Sequence, residues 1–315
     1  MAVATENKFL SSRLGSRERH ATLDVLGSQT DVFTYEPAGG GPDGSARAAA
    51  PTVLAVHGFR GTHHGLLRIV DLLPDVRVVM PDLPGFGASS PLGAGREHDI
   101  EGYAAWVAAL AEDLGLGPDT VLLGHSFGSI VAARVCAEHQ GRFSGLVLVN
   151  PISSPALEGP QGILSRLAVG YYRAGAGLPE SIGSALLRHP AIVRVMSEAM
   201  AKTRDPELRK FVHGQHAQHF SSFASREVLL ESFRASVSHT AAEAADELSL
   251  PVLLIAGERD EVAPLPAVRD FHSRLVDSRL TVIPGVGHLI HYETPRPAAD
   301  AIRAFLGELE QKAGE

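Results

Sequence analysis

Val121-Leu122-Leu123-Gly124-His125-Ser126-Phe127-Gly128 is a short apolar run that ends in a serine set between two glycines. A helix-like stretch, residues 129–139, follows directly. Together they read as strand, sharp turn and helix, with Ser126 at the bend. The glycines suit a turn too tight for side chains on either side of the serine. Such a bend strains the serine backbone and lifts its hydroxyl above the sheet. A serine hydroxyl is a weak nucleophile by itself. It needs a base within hydrogen-bond reach, a third group to orient that base, and donors for the oxyanion.

The surrounding sequence supplies a sheet for this turn to stand on. Residues 52–56, 76–80, 146–149 and 252–256 are nearly unbroken apolar runs, the pattern of strands buried on both faces. Residues 280–283 give a last strand, and residues 19–26 and 31–35 alternate as a hairpin around Gly27-Ser28. Helical spacing intervenes at 64–73, 100–114, 266–275 and 297–309. In the second of these, Tyr103, Trp106, Val107 and Leu110 fall on one stripe. The alternation predicts an α/β fold: a mostly parallel, eight-stranded sheet with helices on both faces. Between residues 151 and 249 the buried strands stop. That segment reads as helices at 163–172, 181–187, 191–200, 206–213 and 226–248, a helical cap inserted after the sixth strand. The expected division is a core of residues 1–150 and 250–315 and a cap of 151–249. Residues 1–18 read as a loosely ordered arm, and the Gly- and Ala-rich 38–50 as a flexible surface loop.

The 315 residues, 44% of them hydrophobic, are ample for a core of this size. A formal net charge of −8 argues against nucleic acid or an anionic membrane as partner, since both attract a basic face. Cys136 is the sole cysteine, which excludes an intrachain disulfide. Its place in an apolar helix suits a small buried hydrophobe. The N-terminal residues hold no apolar core of a signal peptide, and no run reaches the roughly 18 apolar residues of a membrane span. A cytoplasmic protein with no stable membrane association is expected. His213, His216 and His219 recur at a spacing of three, but they match no zinc signature and no carboxylate or cysteine joins them at a metal spacing. No metal and no cofactor are expected, and no oligomeric state is indicated.

Four further loops follow strand ends, where open parallel sheets bind ligands. They are His57-Gly58-Phe59-Arg60-Gly61, the 81–89 loop PDLPGFGAS, the 257–264 loop GERDEVAP, and the 285–293 loop GVGHLIHYE. With the serine turn, the order Ser, Gly-x-x-Asp, Gly-His along the chain resembles the α/β-hydrolase superfamily. The similarity runs from about residue 19 to the last helix, and more distantly includes the meta-cleavage product hydrolases. The resemblance implies a capped serine hydrolase, with Ser126 as nucleophile, His288 as general base and Asp260 as the acid that orients it. It also implies an oxyanion hole made by the backbone N–H groups of Phe59 and Phe127.

Each position has competitors. Glu258 and Glu261 share the loop of Asp260 and either could orient a histidine; Asp260 alone fits Gly-x-x-Asp. Asn150, where some relatives keep the acid, is an amide and cannot serve as an anion. His291 lies three residues past His288 but outside the Gly-His motif. His125, His57 and Asp82 read as packing or bracing residues. The serine at the turn disfavours dehalogenase or epoxide hydrolase chemistry, which uses an aspartate there. The substrate class expected is a small or medium, partly apolar carboxylic ester. Carbon–carbon bond hydrolysis is the main alternative, weakened because Leu289 stands where those relatives carry tryptophan. Arg173, Arg188 and Arg194 are the candidates for the cap arginine of that chemistry. Thioesterase and lactonase activity use the same machinery. A hydrolase-fold receptor for a small ligand is the non-enzymatic alternative. Tyr171, Tyr172, Met196, Met200, Phe220 and Phe223 read as helix-core residues, a subset of which faces the substrate; no individual substrate-binding residue is singled out.

Overall fold

Strand runs of Val, Leu and Ile set the framework. In a computed structural model of the chain, residues 8–39, 50–155 and 162–314 are described, with only the backbone for 162–167. Residues 1–7 of the expected arm and 40–49 of the expected loop lie outside the described residues. The strands are β1 (Glu18–Val25), β2 (Ser28–Tyr35), β3 (Thr52–Val56), β4 (Arg77–Pro81), β5 (Thr120–His125), β6 (Gly145–Val149), β7 (Val252–Gly257) and β8 (Ser278–Ile283). They form one eight-stranded sheet in the order β1-β2-β4-β3-β5-β6-β7-β8. β1 and β2 are antiparallel to their neighbours, and the remaining pairs are parallel.

The order of the strands places β5 near the middle, between β3 and β6. Register opposes Gly124 to Val56 on one side and to Leu148 on the other. Alternate residues feed two separate cores: Leu54, Val56 and Leu122 face one, and Val53, Ala55, Val121 and Leu123 the other. Both faces being buried explains why these strands are apolar throughout rather than alternating. The first core is covered by α3 (Ile100–Asp113) and α4 (Phe127–Glu138). Tyr103, Trp106, Val107 and Leu110 are fully buried there. The second is covered by α2 (Leu67–Asp71) and the C-terminal helix Pro295–Gly314, whose Ala298, Ala299, Ile302, Phe305 and Leu306 form the inward stripe.

Between β6 and β7 lie α5 (Gly162–Gly177), α6 (Glu180–Leu187), α7 (Pro190–Met200), α8 (Pro206–His219) and α9 (Arg226–Ser238). Two expectations fail in this segment. The helix expected over 226–248 stops at Ser238, because His239 is extended and Thr240 with Glu243 forms a capping box that starts a new 3-10 turn, Ala241–Ala244. The helix expected to end at 213 runs on to His219, since His213 and His216 seat it on Ser197 of α7. The expected helix 64–73 is two pieces, a 3-10 turn His63–Leu66 and then α2.

The described part of the N-terminal arm is also more fixed than expected. α1 (Leu14–Arg17) ends on a buried arginine whose guanidinium donates to the carbonyls of Glu36, Val70, Leu73 and Val76. That side chain anchors the segment to the second core. No helix among the described residues is long and apolar enough to cross a membrane.

Candidate active site

The turn after β5 is built as tightly as its glycines imply. Ser126 has φ 52° and ψ −119°, a left-handed region costly for a residue with a side chain. A Cβ on Gly124 would lie 2.2 Å from the Gly128 carbonyl oxygen, and one on Gly128 would lie 2.3 Å from that of Val56. Neither position admits any other residue without moving backbone. The Ser126 N–H donates to the Val149 carbonyl at 3.0 Å, which ties the turn to the end of β6. Phe127 opens α4, so its N–H has no acceptor in the helix and lies at the positive end of the helix dipole.

Loops from β7 and β8 bring two side chains to this serine. His288 Nε2 lies 2.8 Å from Ser126 Oγ, and His288 Nδ1 lies 2.8 Å from Asp260 Oδ2. A carboxylate only accepts, so Nδ1 carries the proton and Nε2 is left to accept from the hydroxyl. Asp260 is buried and fully engaged. Its Oδ1 accepts from the Val262 and Ala263 N–H groups at 2.8 and 2.9 Å, and its Oδ2 also accepts from Asn150 Nδ2 at 2.8 Å. Burial pushes this carboxyl up, but the His288 imidazole and the two backbone donors outweigh it and hold the group below its ordinary range. The competing acids are occupied elsewhere: Glu258 accepts from the Gly285 N–H, and Glu261 pairs with Lys202. His291 packs edge-on against His125 and does not reach the serine.

In sequence Asn150 stands only as an amide in place of an acid; in the structure it is a donor to Asp260. It sits at φ 48° just past β6 and also reaches the Gly287 carbonyl at 3.3 Å. The signal was its position: β6 pairs with β7, the strand that leads to Asp260.

The loop after β3 closes the other side. A Cβ on Gly58 would lie 3.2 Å from Ser126 Cβ, so this backbone abuts the serine. The Gly58 carbonyl is held by His57 Nδ1 at 2.8 Å and by the Gly61 N–H at 2.9 Å. His57 Nε2 accepts from the Leu83 N–H at 2.9 Å, which fixes the neutral Nδ1–H tautomer. Burial lowers the pKa of His57 accordingly. Asp82 accepts from the His63 backbone and ring at 2.7 and 2.9 Å, bracing the next turn.

Above the serine is a cavity of about 250 Å³. Its floor comes from strand-end loops, through Gly58, Phe59, Ser126, Phe127 and His288. Its roof comes from α5 and α7–α9, through Ala168, Met196, Met200, Phe220 and Phe233. Of the aromatic and methionine candidates, Met196, Met200 and Phe220 line it, while Tyr171, Tyr172 and Phe223 pack outside it. In sequence nothing distinguishes Phe233 from the rest of an apolar helical stripe. None of Arg173, Arg188 and Arg194 lines the cavity; the arginine that does is Arg60, from the floor.

Several buried imidazoles line the cavity. Burial pushes His125 and His216 down to about 3, and His291 well below its ordinary value. His213 and His216 both turn Nδ1 to the Ser197 hydroxyl, at 2.6 and 2.7 Å, and His219 stacks on His64. Among the described residues no group of three or more His, Cys, Asp or Glu could hold a metal ion. Cys136 is buried in α4, where burial pushes its thiol up.

Comparison with known proteins agrees with this architecture. The family profile described as alpha/beta hydrolase fold matches residues 51–295. Lipase 1 of Psychrobacter immobilis is 24% identical over 276 residues, 84% of this chain and 80% of that protein. A pimeloyl-[acyl-carrier protein] methyl ester esterase of Aeromonas hydrophila is 27% identical over 264 residues, 82% of this chain and 96% of that one. Among solved structures, an esterase from Exiguobacterium antarcticum superposes with a TM-score of 0.73 at 16% identity, covering 92% of this chain and 100% of that chain. The eight-stranded sheet, the serine turn and the profile match over most of the chain lead to one assignment: the protein belongs to the α/β-hydrolase fold family.

Proposed function

We propose that the protein hydrolyses a small or medium, partly apolar carboxylic ester through a Ser126-His288-Asp260 triad. The observation that carries this is the unbroken hydrogen-bonded line from Ser126 Oγ through His288 to Asp260, at the base of a largely apolar cavity. Ser126 Oγ attacks the ester carbonyl while His288 Nε2 takes its proton. The collapsing tetrahedral intermediate expels the alkoxide, which receives that proton from His288 and leaves as the alcohol. Water then gives a proton to His288 and attacks the acyl-enzyme, and the acid departs as the proton returns to Ser126 Oγ. Asp260 stabilises the imidazolium in both steps.

The oxyanion is received by the N–H groups of Phe59 and Phe127. For Phe127 the support is its place at the start of α4, next to the serine. For Phe59 it is the peptide plane shared with the Gly58 carbonyl: two donors fix that oxygen, so the N–H on the opposite side is fixed too. Donors already aimed at the developing charge cost no reorganisation in the transition state. In the same reading, residues 151–249 form a cap on a core of 1–150 and 250–315. Names borne by the relatives, lipase and methyl ester esterase, support an ester as substrate.

A fluorophosphonate probe followed by intact mass measurement tests the assignment. Stoichiometric labelling that disappears in Ser126→Ala is expected, together with turnover of p-nitrophenyl esters of short and medium acyl length. A wild-type protein whose mass never shifts would overturn it.

A further inference from the structure

Arg60 is unusual in both backbone and side chain. Its φ of 59° lies in the left-handed region, which a long side chain adopts only where its surroundings hold it there. The residue is 1% exposed, and its guanidinium remains charged. Its hydrogen-bond acceptors are neutral: Nε donates to the Phe220 carbonyl at 2.8 Å, Nη2 to the Leu187 carbonyl at 2.9 Å, and Nη1 to the Tyr172 hydroxyl at 3.2 Å. The Phe223 ring lies 5.5 Å from it. Tyr172 is on α5, Leu187 ends α6, and Phe220 caps α8. One side chain from the floor thus binds three helices of the roof. A well-packed apolar residue would fill the same volume without requiring buried acceptors, so filling space does not account for it.

The backbone of Arg60 belongs to a different task. Gly61 donates to the Gly58 carbonyl, closing a turn with Phe59 and Arg60 at its two central positions. The peptide plane that carries the Phe59 N–H is the first of that turn. A change of φ at Arg60 moves Gly61, and with it one of the two donors that hold this plane. We propose that Arg60 is a positioning residue that makes the donor geometry at Phe59 depend on the seating of the helical roof. With α5, α6 and α8 in place, the side chain is held, the left-handed backbone is retained and the Phe59 N–H stays aimed beside Ser126. Without those acceptors, the turn relaxes toward an ordinary backbone and the donor is lost. A floor open to water therefore lacks its full donor set, and a substrate that seats the roof completes it.

This inference rests on the oxyanion role proposed above for Phe59, and the test separates the two. Wild type, Arg60→Met, Arg60→Lys and Tyr172→Phe are titrated with a fluorophosphonate, and kcat per labelled site is measured on p-nitrophenyl acetate. Inhibition by an alkylboronic acid, whose tetrahedral adduct needs the oxyanion donors, is measured beside it. In Arg60→Met, kcat per labelled site is expected to fall about 30-fold or more, approaching the roughly 100- to 1000-fold loss for outright removal of an oxyanion donor, because the donor is misaimed and not deleted. KM should stay within about threefold, since the ground state gains little from that donor. The boronic acid should weaken in parallel, and the midpoint of the pH profile should not move, because His288 and Asp260 are untouched. Arg60→Lys should recover part of the loss, and Tyr172→Phe should lose about two- to threefold, the scale of one hydrogen bond among several. A kcat per labelled site within threefold of wild type in Arg60→Met overturns the proposal, as does a loss carried by KM alone. If Arg60→Met does not fold, unchanged titrated kcat in both Arg60→Lys and Tyr172→Phe overturns it. Absence of labelling in the wild type, by contrast, sinks the oxyanion and triad reading itself.

Discussion

The floor and the roof of the cavity are made by different rules. Every floor residue stands at the carboxyl end of a strand in one sheet, and its backbone is fixed by neighbours a few ångströms away. Three of the four non-glycine residues with positive φ among the described residues, Arg60, Ser126 and Asn150, are found there. The roof is built of helices α5–α9, and it offers the cavity apolar side chains such as Met196, Met200, Phe220 and Phe233. Strain and buried charge concentrate where the chemistry is proposed, and adaptable packing where the proposed substrate would be met. The difference implies that floor substitutions abolish turnover and roof substitutions redirect it.

The largest effect should come from the hydrogen-bonded line itself. Ser126→Ala is expected to lower kcat by about 10⁴- to 10⁶-fold, and Asp260→Asn by about 10⁴-fold, the latter because the amide favours the wrong imidazole tautomer. Pre-steady-state and steady-state rates on p-nitrophenyl acetate measure both. A roof variant such as Phe233→Ala that lost as much on this short ester would erase the distinction between the two regions.

Asn150 tests how far the floor extends beyond the proposed triad. Asn150→Ala removes one of the donors to the buried Asp260 carboxylate. Hydrogen bonds to charged groups contribute about 1.5–3 kcal/mol, so a loss of about 10- to 100-fold in kcat is expected, with KM nearly unchanged. Equal rates in wild type and Asn150→Ala would confine the orienting machinery to the backbone N–H groups of Val262 and Ala263.

This contrast also decides what could be read from the chain. Gly124 and Gly128 are legible because backbone approaches within 2.2–2.3 Å of their missing Cβ atoms leave no choice of residue. The strands are legible because burial on both faces demands unbroken apolar runs. Asp260 and His288 sit in loops that can be placed from sequence, since β7 lies beside β6 and β8 beside β7, all parallel, so both loops leave the same edge of the sheet. The roof yields less. Its helices can be sited by periodicity, but a residue turned to the cavity, such as Phe233, looks the same as one turned to a neighbouring helix. The break at His239 depends on a local capping box that competes with an otherwise helical pattern. Arg60 was invisible for a further reason: two of its three acceptors are main-chain carbonyls, 127 and 160 residues away, and any residue can supply a carbonyl.

A roof substitution should change preference more than rate. Phe233 closes the cavity on the α9 side, stacked on Tyr172 at 3.9 Å between ring centroids. Phe233→Ala opens room for a longer acyl chain, and each methylene accommodated in an apolar pocket contributes about 0.8 kcal/mol. The ratio of kcat/KM for octanoate to that for butyrate p-nitrophenyl esters should rise about tenfold, while acetate turnover changes little. An unchanged ratio would place the acyl chain elsewhere, along Met196 and Met200 of α7.

The smallest effect lies at the seam between the two regions, where imidazoles of both meet. His64 from the floor stacks on His219 from α8, and burial drives His64 down to about 3. His216 in the roof and His125 in the floor are likewise driven to about 3. An unfolded histidine titrates near about 6.5, so the unfolded chain binds protons that the folded chain refuses. The stability these residues contribute is whole above about pH 6.5 and is lost as pH falls toward 3. Each fully buried imidazole contributes a slope of at most about 1.4 kcal/mol per pH unit once the pH is well below 6.5. The apparent Tm should fall by several degrees between pH 7 and pH 5. Replacing His64 by Gln, which has no proton to gain, should flatten the curve. Stacking between floor and roof makes the seam the place where acid acts first. Binding of an apolar dye to the opened cavity should therefore precede loss of far-ultraviolet circular dichroism as pH is lowered. Coincident transitions would mean that floor and roof unfold as one unit, and the distinction between them would hold for chemistry but not for stability.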